Sequence, residues 1–159
     1  MFAGLDRQRG LLDLQDQLRG APVATADLMS KVVAGACTRV RMPSCAGKAA
    51  KIHRLLESEA WTEAALALVE LELPQWRLRR LVYEDDTWLC SLDKQWNLPA
   101  WLSDCAETRH QSLPLAILSA LIEARQCSEP SSMRAASSVP RCGAESSFPV
   151  ETMCCDNFA

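Results

Sequence analysis

The chain has 159 residues, of which 48% are hydrophobic, and its 20 acidic and 17 basic residues give a formal net charge of −3. This length and composition are typical of one soluble globular domain with flanking segments. A small net charge of mixed sign creates no long-range field, which argues against a general binder of nucleic acid or of anionic membrane surfaces.

No segment predicts a membrane span or a secretory leader. The longest apolar run near the C-terminus, residues 113 to 122, is about half the length that a bilayer requires. The N-terminal leucines are interrupted by Asp13, Asp16 and Arg19, whereas a leader needs a continuous apolar segment. We therefore expect a cytoplasmic protein. None of its eight cysteines lies in a CxxC pair, so we expect reduced thiols in that compartment.

Residues 1 to 45 predict a poorly ordered or weakly helical N-terminal segment. Its leucines are spaced to line one short helix, which Gly10 weakens and Gly20 ends. A second weak helix is predicted for residues 24 to 36. We consider Met42 as an alternative start of the natural protein, because the sequence after it is better patterned than the sequence before it.

Residues 46 to 127 predict a single folded core. Residues 48 to 58 carry apolar side chains at helical spacing, with charged residues on the opposite side. Thr62 is expected to cap a second helix, and Trp61 is expected to fix the corner between the two antiparallel helices. Pro74 should end the second helix, because the residue before a proline is driven out of the helical region.

The stretch from residue 76 to residue 92 predicts a β-hairpin. Side chains of different polarity alternate on both sides of residues 84 to 87, which are turn-forming types. Strict alternation puts Leu78 and Arg80 on one face and Tyr83 on the other. Because arginines fall on both faces, we expect a two-stranded sheet whose outer face is exposed to solvent.

Two further helices are predicted after the hairpin. Residues 98 to 105 have helical spacing, and Pro99 lies where helices begin. Ser112 should cap the last helix, and the short link at Arg109 to Gln111 should make the pair antiparallel. The residues expected to face inward on the last helix are Leu115, Leu118, Leu121 and Ile122.

The predicted fold class is α+β, a small helical domain with an αα-ββ-αα core, one β-hairpin, and flexible N- and C-terminal tails. Residues 128 to 159 are rich in serine and proline and show no periodicity. Such a segment buries too little apolar surface to offset its ordering entropy, so we expect a disordered C-terminal tail.

Candidates for catalysis or metal binding are few. The only two histidines are His53 and His110, and we expect packing near an apolar face for the first and a helix-end position for the second. Zinc binding by these histidines together with Cys90 and Cys105 would require the hairpin and both helix pairs to converge at one site. The glycines form no phosphate-binding loop. We expect no catalytic residue, no metal and no cofactor, and a small Cys/His metal site stays an alternative.

The hairpin is the best candidate for a binding surface. Arginine and aromatic residues are enriched in protein–protein contacts, and they also stack on bases and pair with phosphates. In residues 46 to 127, nine basic residues stand against twelve acidic ones, which favours a protein partner over nucleic acid. We expect a non-catalytic protein-interaction module with an unknown protein partner, and single-stranded nucleic-acid binding is the alternative. The candidate surface consists of Trp76, Arg77, Arg79, Arg80, Tyr83 and Trp88.

The motifs AWTEAALALVELELPQW, DDTW and LPAWL resemble a group of small uncharacterised bacterial proteins. The resemblance covers about half of the chain, roughly residues 48 to 126, and both tails lie outside it. It implies a shared fold and no particular function. The residues that it emphasises are types used for packing, namely Trp61, Pro74, Trp76, Trp88 and Trp101.

Overall fold

The computed structural model of the protein describes residues 3–94 and 104–128. In these residues the chain forms five α-helices, two short 3-10 turns and three β-strands, so the protein belongs to the α+β class, as predicted. The elements are α1 (Ala3–Gly20), α2 (Ala26–Ala36), the 3-10 turns Arg39–Arg41 and Pro43–Cys45, α3 (Ala46–Glu57), α4 (Trp61–Glu72), β1 (Arg77–Glu84), β2 (Thr87–Asp93), β3 (Cys105–His110) and α5 (Leu113–Ser128).

Helices α1 and α2 pack against each other. Helix α1 continues through Gly10, because its buried leucines recur at intervals of three and four residues on one face. Helix α2 follows Thr25, whose side-chain oxygen accepts a hydrogen bond from the Leu28 N–H at 3.3 Å. The two helices approach closely at Gly35, where a Cβ atom would lie 2.7 Å from Leu14 Cδ1. The buried leucines of α1 are Leu11, Leu14 and Leu18.

Both N-terminal helices contribute side chains to the same hydrophobic core as the rest of the chain. The division into segments 1–45, 46–127 and 128–159 stays a prediction, because a shared core does not show which part folds independently. Of the predicted C-terminal tail, only Ser128 lies within the described residues, and it is the last residue of α5.

Helices α3 and α4 pack against each other and are joined by three residues. One of these, Glu59, has a left-handed backbone with φ of 56°. The prediction that Thr62 caps α4 is wrong, because the chain is helical again from Trp61 and the cap position is Ala60. Helix α4 ends at Glu72, before Pro74, as the proline predicts.

The three strands form one antiparallel sheet in the order β1-β2-β3, with β2 in the centre. The predicted hairpin is confirmed as β1 and β2. Strand β3 was not predicted: Cys105 and His110, expected at helix positions, are its first and last residues and lie opposite Asp93 and Trp88. The segment has little apolar periodicity of its own, so its strand conformation depends on pairing with β2. The rest of the predicted helix, residues 98 to 103, lies outside the described residues.

Both faces of β2 are buried, so the prediction that the outer face of the sheet is exposed to solvent is wrong for this strand. Cys90 and Leu92 face the helices and belong to the hydrophobic core. On the opposite face, Leu89, Ser91 and Asp93 are at most 3% exposed. The sheet is therefore exposed mainly along β1, where six of eight residues are exposed.

Helix α5 is the central element of the fold. It packs against α1, α4, β2 and β3, and nine of its sixteen residues are buried. The four residues predicted to face inward have no exposed surface, which confirms that prediction. In the described part of the chain, no helix combines the length and apolar character needed to span a bilayer.

Candidate functional site

The turn of the hairpin consists of Asp85 and Asp86. Both residues have a left-handed backbone, with φ of 51° and 57°, and Glu84 pairs with Thr87 across the turn. Two left-handed residues define a type I′ turn, whose twist matches that of the flanking strands. The Thr87 hydroxyl also donates a hydrogen bond to the Glu84 carbonyl at 3.0 Å. The turn therefore fixes the register of the candidate surface.

A β-bulge at Arg79 interrupts the alternation of β1. Leu78 pairs with Leu92 and Arg80 pairs with Ser91, so Arg79 is an extra residue on this strand. Strict alternation predicted Leu78 and Arg80 on one face, and this is wrong because the extra residue moves Arg80 to the other face. The residues of β1 on the side of the helices are Leu78, Leu81 and Tyr83.

The bulge places Arg79 against a buried carboxylate. Its Nη1 lies 2.6 Å from Asp93 Oδ2, and the Asp93 side chain has no exposed surface. A charge-assisted hydrogen bond of this kind offsets the cost of burying the carboxylate. Arg79 therefore helps to hold β1 against β2. Because its guanidinium group pairs with Asp93, Arg79 contributes less positive charge to a partner than the sequence predicted.

The remaining arginines of the predicted surface lie among acidic groups. Arg80 forms an exposed ion pair with Glu84 at 3.3 Å. Arg77 is exposed at the start of β1, opposite Asp93 in the sheet register. The surface of β1 therefore carries both signs of charge, which provides weaker attraction for a nucleic-acid backbone than a continuous basic strip would.

The aromatic residues of the predicted surface lie in two places. Tyr83 and Trp88 are cross-strand partners with ring centroids 5.1 Å apart, and Tyr83 is 53% exposed. Trp76 precedes β1 and is only 6% exposed, and its Nε1–H donates a hydrogen bond to Ser128 Oγ at 3.1 Å. Trp76 therefore joins the start of β1 to the end of α5 and offers little surface to a partner.

A groove of about 600 Å³ lies between α4 and the start of β1. Its lining includes Val69, Leu73 and Trp76, which are buried, while Leu78 at its border is 41% exposed. Arg77 is the basic residue among its lining residues. The groove is a depression with a mixed polar and apolar lining beside the exposed face of the strand. Sequence periodicity gave no signal for it, because it depends on the packing of α4 near β1.

Strand β1 is an edge strand, and within the described residues only β2 pairs with it. An edge strand presents backbone N–H and C=O groups to which another extended segment can bind. Two of the exposed large hydrophobic residues, Leu78 and Tyr83, lie on β1 and share one face. The other edge strand, β3, carries none of the exposed large hydrophobic residues in the described ranges.

The histidines and cysteines considered as metal ligands are divided between the two faces of the sheet and α3. Cys90 pairs with Thr108, three residues from Cys105, so the two cysteines point to opposite faces of the sheet. His53 is exposed on α3, and His110 ends β3, where its Nδ1 accepts a backbone hydrogen bond. Within residues 3–94 and 104–128, no group of three or more His, Cys, Asp or Glu side chains is arranged to hold a metal ion.

Two thiols lie in the protein interior. Burial raises the pKa of Cys90 to about 12. Burial, followed by the charge of Glu72, raises the pKa of Cys37 to about 12 as well, although Arg125 and Arg41 act in the opposite direction. Because the thiolate is the nucleophile, thiols with so high a pKa are unreactive near neutral pH.

A buried polar cluster around Glu72 was not predicted from the sequence. The Glu72 side chain has no exposed surface and accepts hydrogen bonds from the backbone N–H groups of Thr38 and Val40, each at 3.0 Å. Arg125 lies 3.4 Å from the same carboxylate and donates a hydrogen bond to Thr38 Oγ1 at 3.2 Å. These contacts join the first 3-10 turn to α4 and α5. The only signal in the sequence was an acidic residue between two leucines, Leu71 and Leu73.

A second groove, of about 400 Å³, is lined in part by Arg19, Arg109 and His110. The charge of the two arginines suits an anion, but the groove lies at the C-terminal end of α1, where the helix dipole is negative. Burial raises the pKa of Glu123, and the neighbouring Arg19 acts to lower it, so Arg19 already interacts with a carboxyl group. The edge of β1 is therefore the stronger candidate.

Comparisons of the whole chain with protein-family models, with curated proteins and with solved structures found no match.

Proposed function

We propose that the protein is a non-catalytic protein-interaction module that binds a partner chain along the outer edge of β1. The proposal depends on one observation: Leu78 and Tyr83, 41% and 53% exposed, lie on the same face of an exposed edge strand. Burying such side chains is favourable, by about 25 cal/mol for each Å² of apolar surface removed from water. A partner that covers both residues gains this free energy and the backbone hydrogen bonds of the edge.

The proposed mode of binding is β-strand addition. An extended segment of the partner pairs with the backbone of β1, which supplies affinity, and its alternate side chains lie over Leu78 and Tyr83, which supplies specificity. The groove beside Leu78 is positioned to receive one of those side chains. Arg77 and Arg80 lie at the border of this surface, where complementary charges orient the partner and like charges placed directly opposite each other weaken binding.

Two further parts of the proposal concern chemistry and location. We propose that the protein has no catalytic centre, as supported by the high pKa of the thiols of Cys37 and Cys90 and by the separation of the two histidines on α3 and β3. We also propose that it acts in the cytoplasm, because both buried cysteines are outside disulfides, which suits a reducing compartment.

Single-stranded nucleic-acid binding receives less support than a protein partner. Base stacking needs open aromatic faces, and of the tryptophan and tyrosine side chains of this surface only Tyr83 is exposed, whereas Trp76 is buried. Arg79 and Arg80 each contact a carboxylate of the same chain. A salt-dependent gel shift that disappears in both Arg77→Ala and Arg79→Ala would favour nucleic acid and contradict the proposal.

Affinity purification of the tagged chain from its native host tests the proposal. Leu78→Lys places a charge on the proposed contact face, whereas Leu12→Lys makes the same change at a leucine that is 52% exposed on α1. We expect the wild type and Leu12→Lys to recover the same partner and Leu78→Lys to lose it, with far-ultraviolet circular dichroism confirming that all three chains fold. Recovery of the same proteins by Leu78→Lys, or of none by the wild type, would refute the proposal.

A further inference from the structure

We infer, building on the proposed function, that the chain added to β1 is a second copy of β1, paired antiparallel about a two-fold axis through Leu81. The result is a symmetric dimer whose sheet continues through both copies in the order β3-β2-β1-β1-β2-β3. Isologous pairing of this kind requires a strand that is complementary to itself when its direction is reversed.

The β-bulge makes β1 self-complementary. The strand has eight residues, and removing the bulged Arg79 from the pairing leaves seven positions, an odd number with Leu81 in the middle. Leu81 therefore pairs with Leu81 of the second copy. Without the bulge the centre would fall between Arg80 and Leu81, which point to opposite faces and cannot be direct partners. The other pairs are Arg80 with Val82, Leu78 with Tyr83 and Arg77 with Glu84 of the second copy.

Each pair in this register joins side chains on the same face of the sheet. Leu78 and Tyr83 both lie on the side of the helices, and they are the two exposed apolar residues of the strand. Directly opposite residues have Cβ atoms about 5 Å apart, so each leucine contacts a tyrosine. The pairing occurs twice by symmetry, and it covers all four exposed apolar side chains of the two strands.

The groove between α4 and β1 also fits this arrangement. Leu78 stands at its border, so Tyr83 of the second copy reaches the groove when the two residues pair. A tyrosine has an apolar ring and a polar hydroxyl group, and the groove has buried Val69 and Leu73 below and Glu70 in its lining. Among the described helices, α5 packs against β2 and β3, and on the helix side of β1 Leu78 and Tyr83 are exposed in the described part of the chain.

The charges of the strand favour a second copy over other extended segments. Strand β1 begins with Arg77 and ends with Glu84, and two further acidic residues follow in the turn, while Arg79 and Arg80 already contact carboxylates of the same chain. Antiparallel self-pairing places Arg77 of each strand opposite the acidic end of the other. A uniformly acidic segment would be attracted by one half of β1 and repelled by the other, and the same holds for a uniformly basic one.

Charge reversal at the two ends of β1 tests the inference. Arg77→Glu puts a glutamate opposite Glu84 at both ends of the dimer, and Glu84→Arg puts an arginine opposite Arg77. Because like charges then face each other, each variant alone should be monomeric. A mixture of the two variants pairs opposite charges at both ends and should form a heterodimer. Sedimentation velocity of the full chain in reducing buffer should give twice 17.6 kDa for the wild type, 17.6 kDa for each variant alone, and the dimer mass again for the mixture.

The mixture distinguishes a lost interface from a lost fold, because an unfolded variant cannot restore a dimer. A monomeric wild type at all concentrations, single variants that stay dimeric, or a mixture that stays monomeric would each overturn the inference. If the wild type is monomeric while Leu78→Lys loses a different partner in the purification experiment, the proposed function stands and the second copy is the wrong occupant.

Discussion

Replacing Glu72 with alanine should destabilise the fold strongly, because one buried carboxylate has three partners. The substitution leaves the backbone N–H groups of Thr38 and Val40 without their acceptor, and it leaves Arg125, whose side chain is 16% exposed, without its counter-charge. A buried donor without an acceptor costs about 1–3 kcal/mol. Removing one partner of a buried ion pair costs about 3–5 kcal/mol.

These costs overlap, because they arise from the same carboxylate and cannot be added. We therefore expect Glu72→Ala to lower the free energy of unfolding by about 3–5 kcal/mol, out of the roughly 5–15 kcal/mol typical of a domain. Urea denaturation followed by circular dichroism measures this quantity. Glu72→Gln keeps one acceptor oxygen and loses the charge, so its effect should be smaller than that of Glu72→Ala.

Glu70→Ala is the matched control, since Glu70 is exposed on the same helix two residues earlier. It should change the free energy of unfolding by no more than about 0.5 kcal/mol. If Glu72→Ala and Glu70→Ala had equal effects, the Glu72 contacts would contribute nothing to stability and the reasoning would fail.

Three other predictions concern the sheet and α5. Arg79→Leu should lower the free energy of unfolding by about 2 kcal/mol, because it leaves the buried Asp93 carboxylate without this partner. Arg80→Leu should lower it by less than about 1 kcal/mol. Equal losses of the two variants in urea denaturation would contradict this. Asp86→Gly should raise stability by up to about 1 kcal/mol, because glycine adopts the left-handed backbone without strain, and a lower melting temperature would count against it. The raised pKa of Glu123 means that protonation favours the folded state, so its stabilising effect is present below the ordinary value of 4.5 and disappears as the pH rises through the raised pKa. Glu123→Gln should therefore be more stable than the wild type at pH 7 and equal to it below pH 4.5, and a difference independent of pH would show that charge is not the cause.

The elements that were predicted correctly depend on local sequence. The hairpin follows from alternation on both sides of a short acidic turn, and the end of α4 follows from Pro74, which acts on its immediate neighbours. Strand β3 could not be predicted in this way, because its conformation depends on pairing with β2. The apolar spacing up to Cys105 indicated a helix, whereas the partner strand decided the conformation from Cys105 onward.

The candidate surface was located only in part for a similar reason. Tyr83 and Leu78 come together on one face because of the bulge at Arg79, and a bulge leaves no regular pattern in the sequence. Trp76 was grouped with the hairpin by its position in the chain, but its hydrogen-bond partner is Ser128, 52 residues away. Glu72 was overlooked because its partner Thr38 lies 34 residues earlier.

The position of α5 has a consequence for biosynthesis. This helix is the last described element to leave the ribosome, yet α1 buries its leucines against it and the sheet rests on it. At a translation rate of about 5–20 residues per second, the interval between the synthesis of α1 and the synthesis of α5 is on the order of ten seconds. During that time the nascent chain exposes the apolar surface of α1 that α5 later covers, so chaperones can bind the N-terminal helix before the core closes.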